Sequence, residues 1–301
     1  MKRDDTDRLV VYFQRIRDCY PDLEARTTHL TDGGEFNDIL IVNDELIFRF
    51  PRFSDGLERL RVEVATLGAI QGCVSLPVPN PVYVSQDMQT VDVAFLGYHV
   101  LSGELLRDHL ETARAKAARQ QLARQLATFL LELHRFPTKA VKSKVPMHDC
   151  DRREALPVLF ESIREHLYPH MRPDACDAVT NQFDVFLNAP TSFGYEQVLK
   201  HGDLGPGNIL VDPQTLTITG IIDFGSAGLD DPAVDLGHIS FWGESLLGKP
   251  FVRQLYDDYG MSELLLSRVR FYKVMIALMV ALGGVQSGDR EAFELALGQF
   301  M

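Results

Sequence analysis

The most informative segments of this 301-residue chain are KHGDLGPGNILVD, residues 200–212, and TGIIDFGSAGLDDPAVDLG, residues 219–237. They place Asp203 and Asn208 on one glycine-rich loop, and Asp223 at the end of an apolar strand. Because such a loop is bent, both of its polar side chains can point into one pocket. Two carboxylates and an amide that converge there suit a hard cation such as Mg²⁺, which takes a few oxygen ligands and keeps its other positions for water and phosphate.

These three side chains also match the needs of phosphoryl transfer. That reaction uses a metal ion to neutralise developing charge and a carboxylate to orient the attacking oxygen. One Asp remains free to contact a hydroxyl nucleophile. The alternative is that each Asp only caps a turn. The ordered set of HGDxxxxN, an apolar strand and DFG favours a shared site over three unrelated turns.

Composition limits the range of functions. The chain carries 30 Lys and Arg against 42 Asp and Glu, a formal net charge of −12. That balance disfavours a nucleic-acid partner, which requires a basic surface. It favours cationic small molecules or metal ions, although solubility alone also explains it. The four cysteines are far apart, which indicates a reduced cytoplasmic setting without a zinc site.

The chain has no pattern typical of a membrane protein. Its longest apolar run, residues 274–285, is too short to span a bilayer and predicts a buried helix. The first residues are charged and lack the apolar core of a signal peptide. We therefore expect a cytoplasmic protein with no membrane partner, and we expect it to be a monomer.

The chain changes from strand to helix patterning at residues 97–103. This change predicts an α+β fold with a small antiparallel-sheet N-lobe, residues 1–98, and a larger, mainly helical C-lobe, residues 99–301. The elements expected along the chain are a helix over 7–18, a hairpin over 39–42 and 46–50, a helix over 57–70, a strand over 91–101 interrupted at Gly97, a helical stretch over 104–136, strands over 209–211 and 216–222, and a helical tail over 233–301.

Several motifs resemble those of a known enzyme family. HGDLGPGNILVD resembles the catalytic loop of the protein-kinase-like small-molecule kinases, and IIDFG resembles their magnesium motif. The His-Gly-Asp form is similar to the aminoglycoside phosphotransferase family, as are LTDGGEFNDILIVNDELIFRFPR near the N-terminus and DDPAVDLG after DFG. The resemblance extends over nearly the whole chain and is strongest to aminoglycoside 2''-phosphotransferases, with macrolide 2'-phosphotransferases second.

The resemblance implies a bilobal protein-kinase-like fold, with ATP or GTP as co-substrate and Mg²⁺ as cofactor. Asp203 then matches the catalytic base, while Asn208 and Asp223 match the magnesium ligands. The implied activity is transfer of the γ-phosphate to a hydroxyl of a cationic small molecule, first of all an aminoglycoside antibiotic, with resistance by inactivation. A macrolide 2'-phosphotransferase or another small-molecule kinase is the alternative.

The same resemblance implies a nucleotide site. Arg49 stands where many kinases have Lys, and Glu63 matches the helix residue that pairs with it. Arg keeps the positive charge, but its planar fork differs from a point ammonium. The other implied nucleotide residues are Gly33 and Gly34 of the phosphate loop, Ile41 and Phe48 above the base, His99 and Leu101 of the hinge, and Leu210 and Ile222 below the base. Each apolar residue of this set is equally explicable as core.

Acidic residues dominate residues 203–260, where only Lys249 and Arg253 oppose them. In the resembling family the acceptor lies against this helical part, and an acidic wall would concentrate a polycationic aminoglycoside. The implied acceptor contacts are Asp203, Glu244, Asp257 and Asp258. The aromatic side chains of Phe241 and Trp242 could instead line an apolar macrolide site.

Two hypotheses lie outside this enzyme class. One is a nucleotide-binding scaffold without catalysis, against which the intact set of two Asp and one Asn argues. The other is a protein kinase, which would need an Ala-Pro-Glu-type segment after DFG, and the sequence has none there. Three further polar residues are predicted to be structural: His134 in the core or as a helix cap, His201 within the catalytic loop, and Asp235 as an anchor of that loop.

Overall fold

The computed structural model describes residues 3–31, 36–142, 151–298 and 300–301. Its strands are β1 (Thr28–Thr31), β2 (Asn37–Val42), β3 (Leu46–Pro51), β4 (Tyr83–Val84), β5 (Leu96–His99), β6 (Glu104–Leu105), β7 (Val198–Lys200), β8 (Ile209–Val211), β9 (Ile218–Ile221) and β10 (Gly228–Asp230). Its helices are α1 (Arg3–Cys19), α2 (Ser54–Ile70), α3 (Leu110–Ala113), α4 (Lys116–His134), α5 (Thr138–Lys142), α6 (Arg152–His166), α7 (Pro173–Asn188), α8 (Ala233–Leu246), α9 (Lys249–Tyr259), α10 (Glu263–Ser287) and α11 (Arg290–Leu297). Short 3-10 turns lie at Leu106–His109, Tyr168–His170, Pro190–Phe193 and Phe224–Ser226. The predicted α+β class is confirmed.

The chain folds into two compact units. The first comprises Met1–His109, Arg135–Met147 and His201–Gly228. The second comprises Leu110–His134, His148–Lys200 and Leu229–Met301. The chain passes between these units several times, whereas the lobes expected from the sequence meet at one point. The lobe boundary at residue 98 remains a prediction.

The first unit is built on an antiparallel five-stranded sheet with the order β1-β2-β3-β5-β4. Its register places Leu40 opposite Phe48, and Ile39 opposite Arg49. Because side chains alternate between the faces of a sheet, these two pairs lie on opposite faces. Leu40 and Phe48 are fully buried in a core cluster with Ile16 of α1. The other face carries Ile39 and Arg49.

The turn between β2 and β3 explains the predicted hairpin, which is confirmed. Asn43 and Asp44 both have φ of 58°, the left-handed region that Asn and Asp tolerate and that tight hairpin turns need. The side-chain oxygen of Asn43 accepts hydrogen bonds from the backbone N–H groups of Arg26 (2.6 Å) and Thr27 (3.2 Å). These bonds connect the turn to the segment that precedes β1.

Asp38 of β2 connects α1 to the sheet. Its carboxylate accepts a hydrogen bond from Tyr12 and pairs with Arg8, both on α1, and it pairs with Arg52 after β3 at 2.7 Å. Burial alone would raise the pKa of Asp38, but the arginines and the tyrosine outweigh it and hold the pKa below its ordinary value. The ring of Tyr12 also stacks on Phe50 with centroids 4.2 Å apart.

A three-stranded sheet, β6-β8-β9, positions the loop of residues 201–208 and the DFG segment. The loop leads into β8, and Asp223 comes shortly after β9. Gly103 precedes β6 with φ of 118°, and a Cβ atom there would lie 2.9 Å from the carbonyl oxygen of Val211. Only glycine fits this bend, which allows Leu105 to pair with Leu210. A separate two-stranded sheet pairs β7 with β10.

The second unit is mainly helical. Helix α8 packs on α10, where a Cβ atom on Gly237 would lie 2.8 Å from the Cβ atom of Tyr272, so glycine permits this close approach. Helix α4 packs on α9. At the end of α4, the ring of His134 lies 3.1 Å from Oδ2 of Asp235 and 2.9 Å from the hydroxyl of Tyr259. His134 is therefore a core residue, as predicted.

Two elements predicted from the sequence are longer than those in the structure. The strand expected over 91–101 is only Leu96–His99, because Val93 and Ala94 donate to the carbonyl of Thr90 and form a turn. Gly97 lies inside that strand and does not interrupt it. The helical stretch expected over 104–136 begins instead with β6, which pairs with β8, and α4 starts only at Lys116. Pairing with a distant strand overrides local helix preference there.

The apolar run 274–285 lies in α10, as expected for a helix. Most of the run is buried, as predicted, including Met275, Ile276, Leu278 and Leu282, whereas Met279, Val280 and Val285 are exposed. None of the described helices combines the length and the apolar character that crossing a bilayer requires.

Replacing Gly97 by Ala should lower the free energy of unfolding by about 1–3 kcal/mol, as expected for overpacking. The new Cβ atom would lie 2.5 Å from the ring of Phe48, which is fully buried and cannot move away. Gly68→Ala is the matched control, because Gly68 lies exposed on α2 and nothing is within 4 Å. That control should be stabilised by up to about 1 kcal/mol. Urea unfolding compares the two variants, and equal effects would contradict the prediction.

Candidate active site

His201 fixes the start of the loop that carries Asp203. Its ring is fully buried, its Nε2 donates to the carbonyl of Ile222 at 3.1 Å, and its Nδ1 accepts from the backbone N–H of Asp203 at 3.3 Å. The ring also packs on Phe224 with centroids 4.6 Å apart. One nitrogen that donates and one that accepts describe a neutral imidazole. His201 is structural, as predicted.

Asn208 holds Asp203 in place. Its Nδ2 donates to the carbonyl oxygen of Asp203 at 2.8 Å and to Oδ2 of the same residue at 3.3 Å. The backbone of Asn208 accepts from the N–H of Ile222 at 3.0 Å, which connects the loop to the end of β9. The side chain of Asp203 is otherwise exposed, so its second carboxylate oxygen is open to a ligand.

Asp223 has a left-handed backbone, with φ of 65°. A non-glycine residue in this region is strained, and such residues are concentrated at functional sites. Its Oδ1 lies 3.3 Å from Nη2 of Arg49, and its side chain is 42% exposed. Burial alone would raise the pKa of Asp223, but the charge of Arg49 and the hydrogen bonds from Arg49 and the backbone of Gly225 outweigh it and lower the pKa. Asp223 is therefore an ionised carboxylate that faces an open space.

Arg49 bridges two carboxylates. Its Nη1 donates to both oxygens of Glu63, at 2.8 and 2.7 Å, while its Nη2 reaches Asp223. Burial raises the pKa of Glu63 to about 7, and the charge of Arg49 opposes that rise. A guanidinium has several donors in a fixed plane, so it can hold both acids at once.

Arg49, Asp203, Asn208 and Asp223 line one cavity of about 370 Å³ within the first unit. Its lining residues are Phe36, Asn37, Ile39, Ile47, Arg49, Arg59, Tyr98, Leu105, Arg107, Asp203, Gly207, Asn208, Ile222 and Asp223. The structure thus brings together the predicted catalytic, metal and strand-cation residues, along with Ile222. Two arginines of the lining, Arg59 and Arg107, were not predicted from the sequence. Alternation along β2 and β3 could have indicated Ile39 and Ile47, which share a face with Arg49.

Other predicted nucleotide residues lie elsewhere. Phe48 is buried on the opposite face of the sheet, so its prediction as a contact above the base was wrong. Glu63 is buried and meets the cavity only through Arg49. Gly33 and Gly34 lie outside the described residues. Four other predicted nucleotide residues do not line the cavity, and their roles remain predictions: Ile41, His99, Leu101 and Leu210.

Two buried polar atoms in the lining have no hydrogen-bond partner among the described residues. They are Oδ1 of Asn37, whose side chain is 3% exposed, and Nε of Arg49. Buried polar groups are nearly always satisfied by protein, water or ligand. These orphaned atoms fit a cavity that binds a polar molecule such as a nucleotide.

The donor set also fits Mg²⁺. The described part of the chain contains no group of three His, Cys, Asp or Glu side chains that could hold a metal. Asn208 and Asp223 would therefore contribute one amide and one carboxylate oxygen. Mg²⁺ suits such a site, because it binds through one or two protein ligands and completes its shell with water and substrate phosphates.

The predicted acidic wall is partly neutralised. A second cavity, of about 820 Å³ within the second unit, is lined by Glu244 and Asp257 but also by two lysines and two arginines. Glu244 pairs with Lys273 and lies 3.9 Å from Lys249. Asp258 accepts from Gln254 at 2.9 Å and is not part of this lining. The acceptor roles of these acids remain predictions.

Two other sequence predictions concern the same unit. Trp242 is buried and packs beside Phe251, with centroids 5.6 Å apart, and it does not line the second cavity, so its alternative role in an apolar macrolide site remains a prediction. Phe241 is half-buried. The carboxylate of Asp235 meets His134, and its predicted anchoring of the catalytic loop remains a prediction.

Comparison with known proteins identifies the family. The sequence profile described as the phosphotransferase enzyme family matches residues 25–272. Viomycin phosphotransferase of Streptomyces vinaceus is 26% identical over 270 residues, which cover 88% of this chain and 89% of that protein. An aminoglycoside 3'-phosphotransferase of Streptomyces fradiae is 29% identical over 82 residues, which cover 26% of this chain and 31% of that protein.

Solved structures agree with these relatives. The GDP complex of aminoglycoside 2'-phosphotransferase-IIIa has a TM-score of 0.82 at 26% identity, with 96% of each chain covered. A macrolide 2'-phosphotransferase from Brachybacterium faecium shares the fold with a TM-score of 0.69 at 19% identity, over 96% of this chain and 97% of that one. The predicted bilobal fold and the predicted resemblance are confirmed. With a family match over most of its length, this chain belongs to the phosphotransferase enzyme family.

Proposed function

We propose that the protein transfers the γ-phosphate of ATP or GTP to a hydroxyl of a cationic small molecule, first of all an aminoglycoside or related antibiotic, and thereby inactivates it. The observation that supports this most is the single cavity lined by Asp203, Asn208, Asp223 and Arg49. Similar proteins support the two substrates. One solved relative is a GDP complex, and another at 27% identity is a complex with GDP and kanamycin.

Asp203 acts on the acceptor in this proposal. Its exposed carboxylate accepts the proton of the acceptor hydroxyl as the oxygen attacks the γ-phosphorus. The new phosphorus–oxygen bond forms as the bond to the β–γ bridging oxygen breaks, and the nucleoside diphosphate leaves with that electron pair. Because Asn208 holds Oδ2 of Asp203, the other carboxylate oxygen is directed to the hydroxyl.

Arg49, Asn208 and Asp223 act on the nucleotide. Arg49, held by Glu63, presents its charge to the phosphates. A magnesium ion held by Asn208 and Asp223 would supply positive charge against the phosphate oxygens. Asn208 thus acts on both the acceptor and the nucleotide. Its Nδ2 holds Asp203, while its Oδ1 has no partner among the described residues and can bind the metal.

The test is a substrate panel with the purified chain. Aminoglycosides, viomycin and macrolides are incubated with ATP or GTP and Mg²⁺, and mass spectrometry looks for the addition of one phosphate group. We expect a product with a cationic antibiotic; a product only with macrolides would support the alternative. Nucleotide consumption without acceptor is followed in parallel, and no turnover under any condition would overturn the proposal.

The cytoplasmic location and the monomeric state of the protein remain predictions. Cell fractionation tests the first and size-exclusion chromatography the second.

Replacing Arg49 by Lys should raise the KM for nucleotide about tenfold, as expected for the loss of one charged hydrogen bond. Lysine offers one nitrogen in place of the two that Arg49 uses, Nη1 on Glu63 and Nη2 on Asp223, so one of these contacts should weaken. Arg52→Lys is the matched control on the same strand end, because Arg52 pairs with Asp38 outside the cavity lining. Steady-state kinetics measures both variants. Equal KM values for Arg49→Lys and the control would show that the planar guanidinium of Arg49 is not needed for nucleotide binding.

A further inference from the structure

Arg107 lies directly beside the catalytic loop, although it belongs to a distant segment of the chain. Its backbone N–H donates to the carbonyl of Pro206 at 3.0 Å. A methyl group built on Gly207 would lie 3.6 Å from Nη1 of Arg107 and 3.9 Å from its Cδ. The guanidinium therefore extends over Gly207, between Asp203 and Asn208 in sequence, and it lines their cavity.

The charge of Arg107 is available to a ligand. Its ion pair is with Asp108 at 3.9 Å, and the two side chains are 61% and 62% exposed, so this contact is weak. The other arginines of the cavity lining are engaged. Arg49 holds Glu63 and Asp223, and Arg59 donates to Ser226 at 2.8 Å.

Phosphoryl transfer requires positive charge near the equatorial oxygens of the moving group. The catalytic loop between Asp203 and Asn208 is Leu-Gly-Pro-Gly and contains no cation. The side chain of Arg107 crosses position 207, where a Cβ atom would be in ordinary van der Waals contact with it. Arg107 thus supplies from another segment the charge that the loop lacks.

We propose that Arg107 contacts the transferred phosphoryl group and stabilises the charge on its oxygens during transfer. This inference rests on the proposed function. Arg107 acts through its charge and its N–H donors and takes no part in the proton transfer. The acceptor proton still goes to Asp203, and the bridging oxygen still leaves with the diphosphate.

The experiment uses hydrolysis of ATP or GTP by the whole protein without acceptor, so it does not depend on the identity of the acceptor. Arg107→Met should lower kcat about 10- to 100-fold, somewhat less than the loss of a buried oxyanion donor because Arg107 is exposed. Arg107→Lys should fall between Met and wild type, because it keeps the charge but loses the fork. Arg124→Met, on the exposed face of α4, is the matched control and should keep the wild-type rate.

A second measurement distinguishes the phosphoryl group from the acceptor as the partner of Arg107. Once an acceptor is known, Arg107→Met should lower transfer by the same factor as hydrolysis and leave the KM for acceptor unchanged. A wild-type rate of hydrolysis in Arg107→Met, or a change confined to the KM for acceptor, would overturn the inference. Absence of all turnover in the wild type would instead overturn the proposed function.

Discussion

Replacing Asp203 by Asn should reduce phosphoryl transfer about 10²–10⁴-fold, the range for loss of a general base, and should leave nucleotide affinity nearly unchanged. The amide cannot take the proton of the acceptor hydroxyl. Asn has the same shape, so the contact with Asn208 and the loop backbone should survive. Transfer rates and nucleotide titration by calorimetry measure the two quantities separately.

Asp212→Asn is the matched control for that variant. Asp212 caps the turn after β8, where its Oδ1 accepts from the backbone N–H groups of Gln214 and Thr215 at 2.9 and 2.8 Å. It lies outside the cavity lining, so its replacement should keep the transfer rate. If Asp203→Asn also kept that rate, Asp203 would not be the base, whatever the fate of its nucleotide affinity.

Replacing Asp223 by Asn should weaken magnesium-dependent nucleotide binding and remove measurable turnover. A carboxylate contributes a full charge to a divalent ion, whereas an amide contributes only a dipole. Asn is the informative substitution because it tolerates the left-handed backbone of Asp223, which Ala would strain. Asn208→Ala should show the same loss less completely, since it removes a neutral ligand.

The measurement is nucleotide affinity as a function of magnesium concentration. In the wild type, affinity should rise with magnesium, and in Asp223→Asn this dependence should be much smaller. If Asp223 and Asn208 only shape the turn, both variants would lose stability but keep the magnesium dependence of the wild type. That result would remove the metal site and most of the support for the kinase reaction.

The parts of the molecule that could be predicted from sequence are those set by neighbouring residues. The hairpin follows from two alternating runs joined by Asn43 and Asp44, whose backbone is left-handed. The convergence of Asp203, Asn208 and Asp223 follows because all three lie on one strand–turn–strand unit. In both cases the information is contained in a short window of chain.

The parts that could not be predicted depend on contacts between distant residues. Arg107 lies in a segment with a helical pattern, and only the pairing of β6 with β8 brings it to the catalytic loop. The charge count over residues 203–260 likewise omitted Lys273, which pairs with Glu244 from α10. A local count of charges cannot include partners that arrive from other helices.

The carboxylate of Asp38 couples the opening of helix α1 to the opening of strand β2, which carries Asn37 of the cavity lining. If α1 opened by itself, Asp38 would lose Arg8 and Tyr12 and keep only Arg52 as a partner for a buried charge. Such a state is costly. Helix α1 and the strand that begins with Asn37 should therefore open as one cooperative unit.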